Sequence, residues 1–312
     1  MTVLVTGGLG FIGSNFVIRH LEKYPHENVV VVDNESYASS RKNLSAVAGD
    51  PRLFVHNVDI ADKAKMNRVL LQHSPHLIYN FAAESHVDNS IHDDSAFLHT
   101  NIIGVHTLLQ LVKEHQIKLL HVSTDEVYGS LELNDDPFTE TTAYDPRNPY
   151  SATKAASDHL VRAYVNTHKI KAIVTNCSNN YGPRQHAEKF IPTIIRKAKA
   201  NEMIPIYGNG LNVRDWLYVD DHCDAIMRIT DVFESGKRYN IGGHCEIRNV
   251  NMAWFILDLM GKPRSLMQFV TDRPGHDTRY SISTKKIERE LKWRPTTTLE
   301  VGMKKTLEYY NA

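Results

Sequence analysis

Cysteine is nearly absent from this chain. Cys177, Cys223 and Cys245 are the only 3 among 312 residues; they form no CxxC pair and leave an odd thiol, which argues against a disulfide framework and for a reducing compartment. Long apolar runs are missing too, since VVVV at 29–32 is far too short to span a bilayer. Neither sign of charge is in excess: 36 Lys and Arg balance 36 Asp and Glu, so the totals point to neither nucleic acid nor an anionic membrane as a partner. Any polyanionic ligand must be met by local basic residues. The first strand-like run, TVLVT, begins at Thr2 and leaves no room for a basic segment and apolar leader core, so a cytoplasmic location is expected. The NCS triplet at 176–178 then carries no glycosylation meaning. The 17 histidines show no metal-ligand spacing, and no metal is expected.

What is present is a regular alternation. With 42% hydrophobic residues the chain is long enough for one large domain or two lobes, each with a core. TVLVT, NVVVVD, RLFVHNVD, HLIYNFA, KLLHVST and KAIVTNC read as strands, separated by amphipathic stretches such as FIGSNFVIRHLEKY and KAKMNRVLLQHS. Strands alternating with helices predict βαβ units, and their near-continuous apolar character predicts a parallel sheet covered on both faces. Helices are expected at about 95–115 and 149–168. The first carries Phe97, Ile102, Ile103, Val105, Leu108, Leu109, Leu111 and Val112, more apolar surface than one stripe needs. Burial inside the monomer and a dimer contact account for it equally well.

After Ser178 the character changes. Gly, Pro, Asn and Tyr punctuate NNYGPRQ, IPIYGNGLN, NIGGH and DRPGH, which predicts a smaller, loop-rich lobe. The expected class is therefore α/β, a Rossmann-type doubly wound parallel sheet over 1–178 with a C-terminal substrate lobe over 179–312. Residues 213–243 are expected to return to the first lobe, because LYVDDHCDAIMRITDVF again reads as a strand end and a helix.

VTGGLGFIGSN sets Gly7, Gly10 and Gly13 between a predicted strand and a predicted helix. Glycines there permit a tight turn and close backbone approach, and the helix N-terminus offers unpaired N–H groups to a pyrophosphate. Asp33 lies 20 residues beyond Gly13 at the end of the next strand, where a carboxylate accepts ribose hydroxyls and repels a phosphate. That favours NAD over NADP. In NPYSATKAASDHL, Tyr150 and Lys154 share one face of a helix opened by Pro149. A phenol of pKa about 10 is a poor base near neutrality, but a neighbouring ammonium and a positive nicotinamide ring both favour phenolate. Tyr150 is then a proton acceptor for a hydroxyl whose carbon gives up hydride, and Lys154 a ribose ligand.

The stretches TGGLGFIGSN, FAAESHVDNSI, STDEVYG, YSATKAASDHL, NNYGPRQ, EKFIP, GLNVRDWLYVDDH and DRPGHD, spread from residue 2 to about 280, resemble the extended short-chain dehydrogenases/reductases. Within them the chain is most similar to the nucleoside-diphosphate-glucose 4,6-dehydratases, and TDEVYG separates that subfamily from sugar epimerases and decarboxylases of the same fold. The resemblance implies a lyase that holds NAD. It implies oxidation of carbon 4 of the glucose, loss of water across carbons 5 and 6, and hydride return to carbon 6, in a deoxysugar route of the rhamnose type. Glu126 is implied as the base at carbon 5, Asp125 as the acid for the departing 6-hydroxyl, and Thr124 as a hydrogen-bond partner of the 4-hydroxyl beside Tyr150. Asp125 must then keep a proton near neutrality, through burial and repulsion from Glu126. Strand alternation sets neighbouring residues on opposite faces, so the strand must break near Thr124 for both acids to reach one sugar.

The same resemblance assigns cofactor positions to Phe11, Ile12, Asn34, Ser36, Asp59, Ile60, Phe81, Ala82, Ala83, Ser85, Thr100 and Asn180. Ser85, Asn179, Lys189, Phe190, Pro205, Ile206, Tyr207, Arg214, Asn249, Asp272, Arg273 and His276 fall on nucleotide-sugar positions. The substrate class implied is dTDP-glucose or UDP-glucose, and the assembly a homodimer. The chain departs from the family pattern at NESYASS after Asp33, at Cys245–Glu246 after NIGGH, and at DTRYSIS. Two other readings are a nucleotide-sugar 4-epimerase, which needs the redox pair without the two acids, and a non-catalytic NAD-binding sensor or scaffold on the same fold.

Overall fold

A computed structural model describes residues 1–311. Its strands are β1 Thr2–Thr6, β2 Asn28–Asp33, β3 Leu53–Asn57, β4 Leu77–Asn80, β5 Lys118–Thr124, β6 Ala172–Cys177, β7 Asn179–Tyr181, β8 Ile204–Tyr207, β9 Val213–Tyr218, β10 Arg238–Ile241, β11 Glu246–Arg248 and β12 Met267–Val270. The helices are α1 Phe11–Lys23, α2 Lys63–His73, α3 Val87–His92, α4 Ser95–Phe97, α5 Val105–His115, α6 Pro149–His168, α7 Phe190–Ala200, α8 Val219–Val232, α9 Asn249–Leu259, α10 Lys285–Leu291 and α11 Leu299–Asn311.

Seven strands form one sheet in the order β10-β6-β5-β4-β1-β2-β3, with every neighbouring pair parallel. The order reverses direction between β1 and β4, and in such sheets ligands bind at the carboxyl ends of the strands beside that switch. Two apolar layers cover it. Phe16, Val17 and Leu21 of α1 pack with Ala225, Ile226 and Ile229 of α8 on one face. Met66, Leu70, Leu108, Leu109, Leu111 and Val112 of α2 and α5 fill the other. The strands read as nearly unbroken apolar runs because both of their faces are buried.

The expected helix at 95–115 is interrupted. Between α4 and α5 the chain makes a π-helical turn at Leu98–Gly104, which widens the helix where it packs against α6. A Cβ on Gly104 would meet the Ile60 side chain at 2.6 Å, and the Asn101 amide donates to the Glu84 carbonyl and the Thr153 hydroxyl. Apolar periodicity does not register that polar tie. Phe97, Val105, Leu108, Leu109, Leu111 and Val112 are buried within the monomer, whereas Leu98 and Ile103 remain exposed.

The later part of the chain builds a small lobe with sheets β11-β9-β7 and β12-β8 around Ile194, Ile206, Trp216 and Ile256. Residues 213–243 divide. β9 stays in the small lobe, where it pairs with β7 and β11, while α8 and β10 join the large sheet. One further return has no signal in the local sequence pattern: Ile287, Leu291 and Trp293, in and just after α10, enter the same apolar layer as α1.

Candidate active site

The Gly-rich turn follows β1 as the sequence spacing predicts. Gly7 has φ +67°, and a Cβ there would lie 2.6 Å from the Ala82 nitrogen. Any side chain at Gly13 would collide with the Gly7 carbonyl. Both positions are therefore closed to other residues by geometry. Gly10 caps α1 without a side-chain hydrogen bond, leaving first-turn N–H groups free for an anion. Asp33 is buried at the end of β2, where Oδ2 accepts from the Leu9 amide at 3.0 Å and Oδ1 from the Glu35 amide at 2.9 Å. Each oxygen retains a lone pair for a ribose hydroxyl. The unusual NESYASS segment thus still grips Asp33 through its backbone, and Glu35, at φ +56°, turns its side chain away to pair with Arg41.

These groups open into one cleft of about 290 Å³. Its walls include Gly7, Gly10, Phe11, Ile12, Gly13, Asp33, Asn34, Ser36, Ile60, Phe81, Ala82, Ala83, Ser85, Thr100, Asn179, Asn180 and Lys189, and at its inner end Thr124, Asp125, Glu126, Tyr150 and Lys154. Asp59 is not on the wall. Its carboxylate is taken up by the Ala61 amide, Asn34 and His99, a local turn that its sequence position does not reveal.

The inner end is made where β5 stops. Thr124 ends the strand and its hydroxyl accepts from the Glu126 amide at 3.3 Å, capping a 3-10 turn over Asp125–Tyr128. The turn removes the strand alternation that would have parted the two acids. They still occupy different surroundings. Asp125 is 2% exposed; its Oδ1 accepts from Thr124 at 3.3 Å and its Oδ2 has no partner among the described residues. Burial, followed by repulsion from Glu126 and Asp215, raises the Asp125 carboxyl well above the usual range. Glu126 is half-buried, and its Oε2 accepts from Asn148 at 3.3 Å and from Tyr280 at 3.4 Å.

Helix α6 presents Tyr150 and Lys154. A capping box between Asn148 and Ser151 and Pro149 in the first turn fix where it starts. Burial, then Glu126, raises the Tyr150 phenol well above its ordinary value, with the Thr124 hydroxyl opposing the shift. Lys154 is not among the groups that set this balance; its ammonium donates to the Val122 carbonyl at 2.8 Å. Burial and Glu126, not the lysine effect expected from the sequence, dominate at the phenol.

Of the remaining candidates only Ser85, Asn179 and Lys189 line this cleft; the others lie outside its walls. The Lys189 ammonium donates to the Ser85 carbonyl at 2.8 Å. Arg273 lies 3.6 Å from Asp88, which also accepts from the Tyr207 hydroxyl at 3.2 Å, so α3 and the small lobe meet here. His276 pairs with Asp272 and faces the Tyr207 ring. Arg214 is buried over the Tyr280 ring, 4.1 Å from its centre, and Phe190 stacks on Trp216. Pro205 is exposed on β8, and Asn249 opens α9 with its amide bound to the Asn212 carbonyl. Ile206 is the exception: its side chain, 1% exposed, belongs to the small-lobe core. At the other departure from the pattern, Asp215 accepts from the Gly243 and Cys245 amides, and Glu246 pairs with Arg279.

Sequence reasoning missed Asn148, Asp277 and Tyr280. All three come from loops or short bridges distant in the chain, and only tertiary packing brings them to Glu126 and Arg214. The DTRYSIS segment held the one usable signal, since it supplies Asp277 and Tyr280. Among the described residues no cluster of three metal-ligating side chains occurs, and no helix is long and apolar enough to cross a membrane.

A family model described as GDP-mannose 4,6 dehydratase matches residues 4–306. The dTDP-glucose 4,6-dehydratase 1 of Escherichia coli (strain K12) is 45% identical over 335 aligned residues, covering 99% of this chain and 92% of that protein. The dTDP-glucose 4,6-dehydratase of Mycolicibacterium smegmatis is 46% identical, over 100% and 94%. The chain belongs to the dTDP-glucose 4,6-dehydratase family. Among solved structures, the family member DesIV of Streptomyces venezuelae, with NAD and TYD bound, superposes with a TM-score of 0.96 at 42% identity, over 100% of this chain and 97% of that one. A UDP-glucose 4-epimerase from Thermotoga maritima shares the fold at a TM-score of 0.91 over 100% and 99% of the two chains, but at only 28% identity. The epimerases stand further off, as the Asp125–Glu126 pair implies.

Proposed function

We propose that this chain is an NAD-dependent hydro-lyase that converts dTDP-glucose to its 4-keto-6-deoxy product. The observation that carries this reading is the 3-10 turn after β5, which sets a buried carboxyl of raised pKa beside a hydrogen-bonded carboxylate in the cleft that also holds Tyr150.

The uncapped start of α1, the glycine cradle and Asp33 fit a dinucleotide. Bound there, NAD would supply the reversible hydride acceptor for carbons 4 and 6 and, in its oxidised form, a positive ring charge near Tyr150. Tyr150 takes the proton of the 4-hydroxyl, steadied by Thr124. The resulting ketone acidifies the hydrogen on carbon 5, which Glu126 removes. Asp125 gives its proton to the 6-hydroxyl, which leaves as water. The two neighbouring acids divide the work by environment, the buried one holding a proton and the half-exposed one accepting it. Arg214, Arg273 and Lys189, the basic residues that resemblance aligns with phosphate contacts, are read as the cations for the diphosphate.

The test is Glu126→Gln loaded with NAD and mixed with dTDP-glucose while reduced-nicotinamide absorbance is followed. Accumulation of NADH without loss of water supports the assignment, and unchanged turnover overturns it. Product mass excludes the epimerase reading, because epimerisation conserves mass and dehydration does not. Running the assay with UDP-glucose settles the base, since one methyl group is worth about 1–3 kcal/mol in a pocket. We place the enzyme in the cytoplasm as a homodimer through the face carrying the exposed Leu98 and Ile103, which equilibrium sedimentation tests.

A further inference from the structure

One turn beyond Lys154 on α6 stands Asp158, 1% exposed. A carboxylate so deep in the protein needs both donors and a nearby positive charge. Its Oδ2 accepts from the Tyr144 hydroxyl at 2.7 Å and from the Asn176 amide at 3.2 Å. Oδ1 has no hydrogen bond among the described residues and lies 3.5 Å from His121 Nε2.

The surrounding network fixes the state of His121. Thr6 donates its hydroxyl to Asn80 Oδ1, so the Asn80 amide nitrogen is the donor to His121 Nδ1 at 2.9 Å. Nδ1 is then the acceptor, and the single ring proton sits on Nε2, toward Ser157 and Asp158. Burial, and next Lys154, hold this imidazole below its ordinary pKa, so it offers Asp158 a neutral donor. The other groups facing the pair are the Cys177 thiol from β6, whose pKa burial pushes up to about 12, and the phenols of Tyr128 and Tyr144, also raised by burial. Arg238 is one layer further out, over the Tyr144 ring. Lys154, buried one turn back on the same face of α6, is the cation this carboxylate accompanies, and the Asp158 charge opposes the desolvation of that ammonium.

The same Asn176 nitrogen that holds Asp158 also donates to the Thr124 carbonyl at 3.0 Å. That carbonyl marks the end of β5, the peptide from which Asp125 begins. One side-chain amide therefore joins the buried carboxylate to the hinge of the reacting turn.

We propose that Asp158 is a positioning residue that keeps Lys154 cationic in a dry interior and, through Asn176, fixes the end of β5 that presents Asp125 and Glu126. The role rests on the redox reading of Tyr150 and Lys154 given above. Without the Asp158 charge, Lys154 loses its proton at lower pH, and with it the charge expected to hold the nicotinamide ribose.

The experiment is Asp158→Asn in NAD-loaded enzyme, with single-turnover formation of reduced nicotinamide followed across pH. The expected result is an alkaline limb moved down by about one pH unit, roughly a tenfold loss of rate above it, with Asp158→Glu restoring the limb. A uniform loss at every pH, or a limb that stays in place, overturns the proposal. Should the Asn variant not fold, Asp158→Glu is read alone: it keeps the charge, so the alkaline limb is expected to stay in place, and a limb moved down in that variant overturns the role. Because only the hydride-transfer half is read, failure here is distinct from failure of the dehydration assignment, which product mass reports.

Discussion

The hydroxyl of Tyr280 lies 3.4 Å from Glu126 Oε2, across 154 positions of sequence, and shares its one proton between that carboxylate and Asp277. Tyr280 in turn carries Arg214 on its ring face. The proposed base at carbon 5 is thereby linked, through one phenol, to a cation proposed for the diphosphate.

Removing that hydroxyl separates the two effects. Tyr280→Phe retains the ring under Arg214 and deletes one hydrogen bond to Glu126. A bond to a charged group contributes about 1.5–3 kcal/mol, so turnover is expected to fall roughly tenfold or more while binding of dTDP changes little. Rapid-quench kinetics and calorimetry on the same preparation check both halves.

Asp125 predicts opposite responses of stability and activity. A carboxyl whose folded pKa lies above its unfolded value favours the fold while it is protonated, and that contribution is lost as pH rises through the folded pKa. Asp125→Asn cannot ionise. It should therefore melt above wild type, with a margin that grows by about 1.4 kcal/mol for each pH unit between the unfolded and the folded pKa and levels off beyond the folded one. Turnover should drop by about two orders of magnitude, because the departing hydroxyl has no acid. Melting curves from acid to alkaline pH give the first result and steady-state rates the second.

Gly7→Ala tests the cradle. The added methyl group meets the Ala82 nitrogen at 2.6 Å, at a φ that disfavours any side chain. Such overpacking costs about 1–3 kcal/mol. The variant should retain the secondary structure of the large sheet by circular dichroism while losing NAD in calorimetry at least tenfold.

Asp33 is the residue proposed to set the choice of dinucleotide. Asp33→Ser removes the charge that repels a 2′-phosphate but leaves an oxygen near the Leu9 and Glu35 amides. NAD affinity should fall and the preference for NAD over NADP narrow, by about 1–3 kcal/mol in total, read as the ratio of the two dissociation constants.

How far the sequence disclosed this depends on what kind of signal each part leaves. The large sheet and its helices were legible because fully buried strands read as apolar runs, and the glycine turn because Gly7 and Gly13 admit no other residue. The break after Thr124 followed from a chemical demand, since two adjacent acids cannot share a face of a strand. The π-helical turn at Leu98–Gly104 was hidden because it goes with polar contacts of Asn101 to Glu84 and Thr153. Ile206 sits at a position assigned by resemblance yet turns its side chain into the core, and Asp59 spends its carboxylate on neighbours. Tyr280 and Asp277 left no trace near Glu126, as nothing in a linear pattern reports a contact made by separate loops. Family resemblance supplied candidate contacts for the small lobe that periodicity could not.

Strand β10 and helix α10 return to the large sheet after the small lobe has begun, so neither lobe is a contiguous length of chain. A gene cut after Cys177 would encode a sheet missing its outermost strand, with β6 left as a raw edge. Altering sugar preference by grafting a donor lobe end to end is therefore closed to both evolution and the engineer. Recombination would have to exchange several interspersed loops together, and single residues within those loops are the accessible units of change.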